Sequence, residues 1–370
     1  MELIINKLKG DYPLETQTTK YFAAKEAYNC SASVGAPMVI IHDPSIHTMG
    51  SSLFRYLDMK IHHYVKEANY NKIVVVGNYD RRKVVANNEK GGKTFNWQRP
   101  TAELVGEDLY IHCPSGHDYV PHYASIIGSY LSLMGKDHSC VTYLPPTDDD
   151  CWKLIETSNL KDFHPSEFVV YGFGVPHLSG SDKWDGIGPF RWTKVRIRNT
   201  VVSFLGCDFC VWGDISGRLV RYLAQEKKIK RFVYVGKLGS LNPAYVPNES
   251  LATGNTSLLK GKNVQWDSVF KSIPSDDIIK KGAHVTMSSV LMETKEWLEQ
   301  HSEYDFIDPE IGHMGNAANR ASIQYGYMHI ISDNLVKKFP EDLSNERINS
   351  VLMKRKLLLD KIRTTIEMVC

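Results

Sequence analysis

Short apolar runs alternate with helically spaced stretches along most of the chain, the pattern of strands and helices laid down in turn. Apolar runs at residues 37–42, 72–77, 107–113 and 141–144 read as strands. Leu53, Leu57, Ile61 and Val65 recur at helical spacing and predict one helix over 52–68; another is expected over 123–133. Residues 83–86 are the expected hairpin partner of the strand at 72–77, beyond the turn at Asn78, Tyr79 and Asp80. The polar stretch 145–165, carrying Asp148, Asp149 and Asp150, predicts a boundary. Past it the pattern restarts with strands at 168–172, 194–197, 201–204 and 232–235, a helix over 216–226, and an apolar strand at 328–331. This alternation points to an α/β fold: a layered, largely parallel sheet with flanking helices, in two parts, residues 1–160 and 161–370. A last helix from about residue 345 would set Ile348, Leu352, Leu359, Ile362, Ile366 and Val369 along one side, interrupted by Arg355, and pack on its own domain.

Composition narrows the class without deciding it. The chain has 370 residues, 42% hydrophobic and 23% charged, enough for a full core. Its net charge of +2 gives no electrostatic footprint for nucleic acid or an anionic membrane. The first residues show no apolar stretch of signal-peptide length, so a cytoplasmic location is expected. Seven cysteines, an odd number, favour thiols over a disulfide framework. Cys207 and Cys210 form a CxxC within an apolar run and lack a second pair to complete a zinc site, so they read as buried strand thiols.

Candidate chemistry concentrates in the C-terminal half. Residues 232–241 read as a buried strand opening into a glycine turn at Gly236 and Gly239, where absent side chains let a ligand approach the backbone. Farther on come the acidic cluster Asp308-Pro309-Glu310 and, at the end of the next strand, Ser332-Asp333-Asn334. Taken singly, Asp333 could cap a helix starting near Asn334, and Glu310 could be a first-turn acid favoured by the macrodipole.

In sequence order, the segment Trp212-Gly213-Asp214-Ile215-Ser216, the strand end Val235–Gly239, the segments 252–257 and 284–293, the acid pair and the Ser-Asp strand end resemble the nucleoside phosphorylase and nucleosidase superfamily, over about residues 168–335. The resemblance implies a phosphorylase-like fold for the C-terminal part and cleavage of the N-glycosidic bond of a purine nucleoside or nucleotide derivative. It implies that Glu310 binds the ribose hydroxyls, with Asp308 as the preceding acid and Pro309 replacing a methionine. It also implies that Asp333, beside Ser332, protonates the base. Breaking this bond leaves negative charge on the base and positive charge on the sugar, which explains the need for an acid at one end and a carboxylate at the other.

The chain departs from the family's pattern at Tyr234 and Lys237, where an arginine and a hydroxyl residue commonly contact phosphate. Lys237 can hold an anion as a point charge but lacks the bidentate fork. Phosphate is then bound differently, with Arg191, Arg196, Arg218 or Arg221, or water is the nucleophile; the latter is preferred. The loop 173–190 offers His177, Asp182 and Asp185 as candidate bases, and Trp184, Phe190 and Trp192 as candidate stacking partners.

The expected partner is a small nucleoside or nucleotide, with or without phosphate. A homo-oligomer is implied by the resemblance, and neither cofactor nor metal is expected. Two alternatives stay open: a non-catalytic nucleotide or nucleoside sensor, and catalysis around Cys113 and His117. The latter pair belongs to a cluster of His112, Cys113, His117 and His122 whose donor types suit zinc but whose spacing does not, with His42, Asp43 and His47 as further candidate members.

Overall fold

The computed structural model describes residues 37–79 and 95–370. Cys30, Asp80 and the hairpin strand expected at 83–86 lie outside them. Residues Gly35–Cys370 form one compact unit. No helix among the described residues is long and apolar enough to cross a membrane.

The chain runs through α1 (Ser52–Lys60), α2 (Tyr64–Glu67), β1 (Lys72–Val76), β2 (Thr101–Val105), β3 (Asp108–His112), α3 (Tyr119–Leu133), β4 (Val141–Leu144) and α4 (Asp148–Glu156). It continues through β5 (Phe168–Gly172), α5 (Val175–Ser179), β6 (Phe190–Ile197), β7 (Thr200–Cys207), α6 (Asp214–Gln225), β8 (Arg231–Ser240), β9 (Leu251–Thr253), β10 (Thr256–Leu259), β11 (Lys262–Gln265), β12 (Ile279–Lys281) and β13 (His284–Thr286). The last elements are α7 (Lys295–Gln300), β14 (Phe306–Asp308), α8 (Ile311–Arg320), β15 (Gln324–Asn334) and α9 (Asn349–Met368).

The expected α/β layering is present as two mixed sheets. A four-stranded sheet has the order β2-β3-β1-β4, with β1 parallel to both β3 and β4 and β2 antiparallel to β3. In the larger, eleven-stranded sheet β8 is central, lying parallel to β5 and β15 and antiparallel to β14. Successive residues of its strands serve opposite cores. Phe232, Tyr325 and Tyr327 pack with α6 and α8, while Val233, Met328 and Ile330 pack with α9. Burial on both faces is why these strands read as continuous apolar runs.

Several elements depart from the sequence pattern, each for a local reason. Residues 37–42 form no strand. Their backbone is instead pinned to α3, Val39 N–H donating to Ser125 Oγ and Ile41 N–H to Ser129 Oγ, both at 2.9 Å. The helix expected over 52–68 breaks at an extended Ile61, and His62 Nδ1 then accepts the Tyr64 N–H at 3.2 Å. Its apolar spacing survives the break, since Leu53, Leu57, Ile61 and Val65 are all buried. The polar stretch 145–165 contains α4, opened by a capping box between Thr147 and Asp150, so its three aspartates are a first helical turn facing the positive end of the macrodipole. In α9, Leu359, Ile362 and Ile366 are buried along the expected seam with Arg355 among them, while Ile348 and Leu352, at its start, are exposed. Arg355 is tolerated there because Nε donates to Asn248 Oδ1 at 2.7 Å and Nη1 pairs with Glu346 at 3.2 Å.

Candidate active site

The expected glycine turn is a strand. β8 continues through Gly236 and Gly239 to Ser240, and both glycines are needed for close approach across the sheet. A Cβ at position 236 would meet His329 Nε2, and one at 239 would press on Leu335, with Asp333 Oδ2 3.4 Å away. Opposite them, the β8–β15 register shifts between Ile331 and Asp333, so Ser332 is the extra residue of a bulge. Bulges re-aim side chains, and this one is fixed by the Ser332 hydroxyl, 3.1 Å from the Leu238 carbonyl and 2.8 Å from Asp333 Oδ1. No helix begins at Asn334; its side-chain oxygen accepts the Val336 and Lys337 N–H groups in a turn. Burial pushes the Asp333 carboxyl up to about 6, against the hydrogen bond from Ser332 and the charge of Lys237.

The second acidic group is built at the end of β14. Asp308 Oδ1 accepts the backbone N–H groups of Glu310 and Ile311, at 2.9 and 2.8 Å, and so caps α8. The same oxygen lies 3.1 Å from His284 Nε2, and the other lies 3.7 Å from His329 Nε2. His284 Nδ1 is held by Ser257 Oγ at 2.9 Å. Burial would raise the Asp308 carboxyl, but the hydrogen bond and charge of His284, with His329, hold it below the usual value. Glu310, also buried, is driven the other way by desolvation and by the Asp308 charge beside it. Two adjacent acids thus have opposite protonation tendencies, Asp308 anionic and Glu310 proton-holding.

One cavity of about 480 Å³ is lined by Asp308, Glu310, Ser332, Asp333, Tyr234, Gly236, Lys237 and Gly239, so the acids, the Ser-Asp strand end and the β8 strand end meet in it. Tyr234 stacks on Tyr171, with ring centres 5.7 Å apart, and sets its edge against His329 at 4.5 Å. Lys237 is ion-paired with Glu346, which also holds Arg355.

The N-terminal part adds Tyr56, Lys60, Arg99, Tyr119 and His122 to the lining; of these the sequence marked only His122, as a candidate metal ligand. His122 stacks on Trp212 at 4.5 Å and donates to or accepts from Ser289 Oγ at 2.7 Å. Glu293, another lining residue without a sequence signal, is buried; desolvation and then the Asp333 charge push its carboxyl well up.

Other candidates fall elsewhere. Asp182 and Asp185 are exposed, Trp184 packs on Phe95, and Phe190 and Trp192 belong to the core. His177 reaches the cavity rim but pairs with Asp360 at 2.7 Å. Arg191, Arg196, Arg218 and Arg221 do not line the cavity, and the last two lie over the Trp152 ring. His112 binds Asn78 Oδ1 at 2.5 Å, and Cys113 is fully buried in the core of the four-stranded sheet with its thiol pushed up by desolvation. Asp43 caps a short 3-10 turn, and His47 binds the Val290 carbonyl. These groups do not converge with His117 or His122.

A metal could be offered ligands only elsewhere: His117, Cys151 and Asp214 have donor atoms within 4.8 Å of one another among the described residues. Arg218 already supplies positive charge there, 3.5 Å from Asp214 and 2.5 Å from Asp148.

Comparison with known proteins gives partial likenesses. The chain is similar to nucleosidases and a nucleoside phosphorylase. Campylobacter jejuni 5'-methylthioadenosine/S-adenosyl homocysteine nucleosidase superposes with a TM-score of 0.42 and 9% identity, over 54% of this chain and 97% of that one. Arabidopsis thaliana 5'-methylthioadenosine nucleosidase gives 0.41 and 13%, over 55% and 93%. A double mutant of Schistosoma mansoni adenosine/methylthioadenosine phosphorylase, in complex with adenine, gives 0.40 and 12%, over 54% and 88%. Among curated sequences, oxidoreductase cns1 of Cordyceps militaris is 24% identical over 174 residues, 40% of this chain, and the chain spans 21% of that protein's length. No family model matches.

Proposed function

We propose that the chain hydrolyses the N-glycosidic bond of a purine nucleoside or a nucleoside derivative. One observation carries the reading: Asp333 and Glu310, twenty-odd residues apart in sequence, open into a single cavity, with the Asp333 carboxyl raised to about 6.

In this reading Asp333 delivers its proton to a ring nitrogen of the purine as the bond from that base to the sugar breaks. The bonding electrons leave with the base, which departs neutral. Glu310 hydrogen-bonds the sugar hydroxyls and fixes the ring as positive charge develops on it. Asp308 acts through Glu310: it caps α8 and, adding its charge to the effect of burial, favours a proton on its neighbour, so it is a positioning residue. Tyr234 and Gly236 form the wall against which the substrate lies. Water then adds to the sugar and loses a proton to solvent. Water is favoured over phosphate because the cation at position 237 is held by Glu346, and no arginine of the C-terminal sheet lines the cavity.

The test is incubation of the purified protein with a panel of purine nucleosides and nucleotides, in buffers with and without phosphate, with chromatography for released base. Release in phosphate-free buffer supports hydrolysis. Release that requires phosphate replaces it with phosphorolysis, and binding without any release makes the protein a sensor.

A further inference from the structure

The cavity is not acidic throughout. Its carboxyls, Asp308, Glu310, Glu293, Asp333 and Glu346, come from the C-terminal half, whereas Lys60 and Arg99 enter from the N-terminal part. Arg99 is only 9% exposed. One of its terminal nitrogens donates to the Met59 carbonyl at 3.1 Å, while its buried Nε has no hydrogen-bond partner. Lys60 lies at the end of α1 with its ammonium 5.1 Å from the Tyr56 ring centre. Among the described residues neither cation forms an ion pair, although five carboxyls line the same space. A buried guanidinium with an unsatisfied donor is costly, and such a group persists where a ligand completes it.

A buried guanidinium and a half-buried ammonium lining one cavity ask for an anion, and the pair of a planar guanidinium and an ammonium matches phosphate oxygens. We infer that Lys60 and Arg99 form a phosphate seat inside the substrate cavity, so that the substrate is a nucleotide, a purine nucleoside bearing a phosphate ester. This rests on the proposed N-glycosidic reading for what the other end of the cavity holds. A free phosphate acting as nucleophile would have to lie against the sugar beside Glu310. Glu310 stands at the start of α8, whereas Lys60 ends α1 and Arg99 is anchored to the Met59 carbonyl of that same helix. The two cations are assigned to the phosphate ester of the substrate and not to a phosphate attacking the sugar carbon. They also explain why the N-terminal part is wanted at the site: it contributes cations that, unlike Lys237, no carboxylate among the described residues pairs with.

The experiment compares purine nucleosides with their monophosphates, and both with inorganic phosphate alone, by calorimetric binding and by base release. It uses the full chain and the variants R99Q, R99K, K60Q, D333N and, as a control outside the cavity, R191Q. The expected result is tighter binding of a monophosphate than of its nucleoside by at least tenfold. R99Q and K60Q should each reduce the monophosphate-to-nucleoside ratio of kcat/KM at least tenfold, R99K should restore part of it, and R191Q should leave it unchanged. Because a ratio is read within one preparation, a partly unfolded variant does not mimic the effect.

Monophosphate binding that depends on Arg99 but yields no base, even with active-site residues intact, upholds the seat and overturns the hydrolytic reading. Equal turnover of nucleoside and monophosphate, with a ratio indifferent to R99Q and K60Q, overturns the seat and leaves the reaction standing. Binding of inorganic phosphate alone with an Arg99-dependent requirement for it in turnover overturns the nucleotide assignment in favour of phosphorolysis.

Discussion

Gly236 and His329 lie opposite each other across the parallel β8–β15 pair, and a Cβ at position 236 would stand 2.5 Å from His329 Nε2. Since His329 also approaches Asp308, the glycine is what lets the histidine reach the acid beneath the cavity. Gly236→Ala is therefore expected to destabilise the fold by about 1–3 kcal/mol through overpacking and to lower base release by displacing α8's capping acid. Chemical denaturation and activity on the same sample check this, and an alanine variant with native stability and native turnover would show that the contact is slack.

Asp333 should leave a signature in stability as well as in rate. Its carboxyl is raised from 3.8 to about 6, so over that window the folded chain holds a proton that the unfolded chain has released. Stability consequently falls as pH rises from about 4 to about 6, by about 3 kcal/mol at full extent. Asp333→Asn removes that loss. The variant should be inactive yet more stable than the wild type above about pH 6, with the two curves converging near pH 4. Thermal melts across that range read the difference, and a variant less stable at every pH contradicts the buried, proton-holding carboxyl.

The sheet, the order of its strands' sequence segments and the acids at 308, 310 and 333 were legible because each leaves a local mark: an apolar run, a polar strand end, an acid pair. What was not legible depends on pairing across distance. The continuation of β8 through Gly236 and Gly239 reads as a turn locally, and only the neighbouring strand's His329 and Asp333 explain why glycine is required. Arg355 reads as a fault in an apolar seam until Glu346 and Asn248 are placed beside it. Lys60, Arg99 and Glu293 carry no spacing signal at all; the first two belong to the site because the N-terminal part folds against it, and Glu293 because the loop before α7 reaches the same cavity.

The Asp308–His284 contact predicts a structural penalty. Asp308→Ala strips two backbone N–H groups of their acceptor and leaves two buried imidazoles without their carboxylate, a loss of about 3–5 kcal/mol. Asp308→Asn keeps an oxygen for the cap and should cost less, but it removes the negative charge that, after burial, raises the Glu310 carboxyl. Its pH profile for activity should therefore shift relative to the wild type. Identical profiles would mean that the two acids do not interact.

Cys113 tests the rival catalytic centre. The thiol is fully buried within the core of the four-stranded sheet and far above its ordinary pKa, a setting that suppresses thiolate formation. Cys113→Ser should lower stability by about 1–3 kcal/mol, the cost of burying a hydroxyl, while base release per folded molecule stays within twofold of the wild type. Loss of turnover in a folded serine variant would move the chemistry to that part of the chain.

The central claim is that the carboxyls at 310 and 333 act on the two ends of one glycosidic bond. Quantifying the purine base formed in a single turnover by the wild type, Asp333→Asn and Glu310→Gln, with substrate binding measured on each, tests it most directly. The expected result is release by the wild type and a loss of at least a hundredfold in both variants, with Asp333→Asn still binding substrate. Release by Asp333→Asn at the wild-type rate contradicts the account.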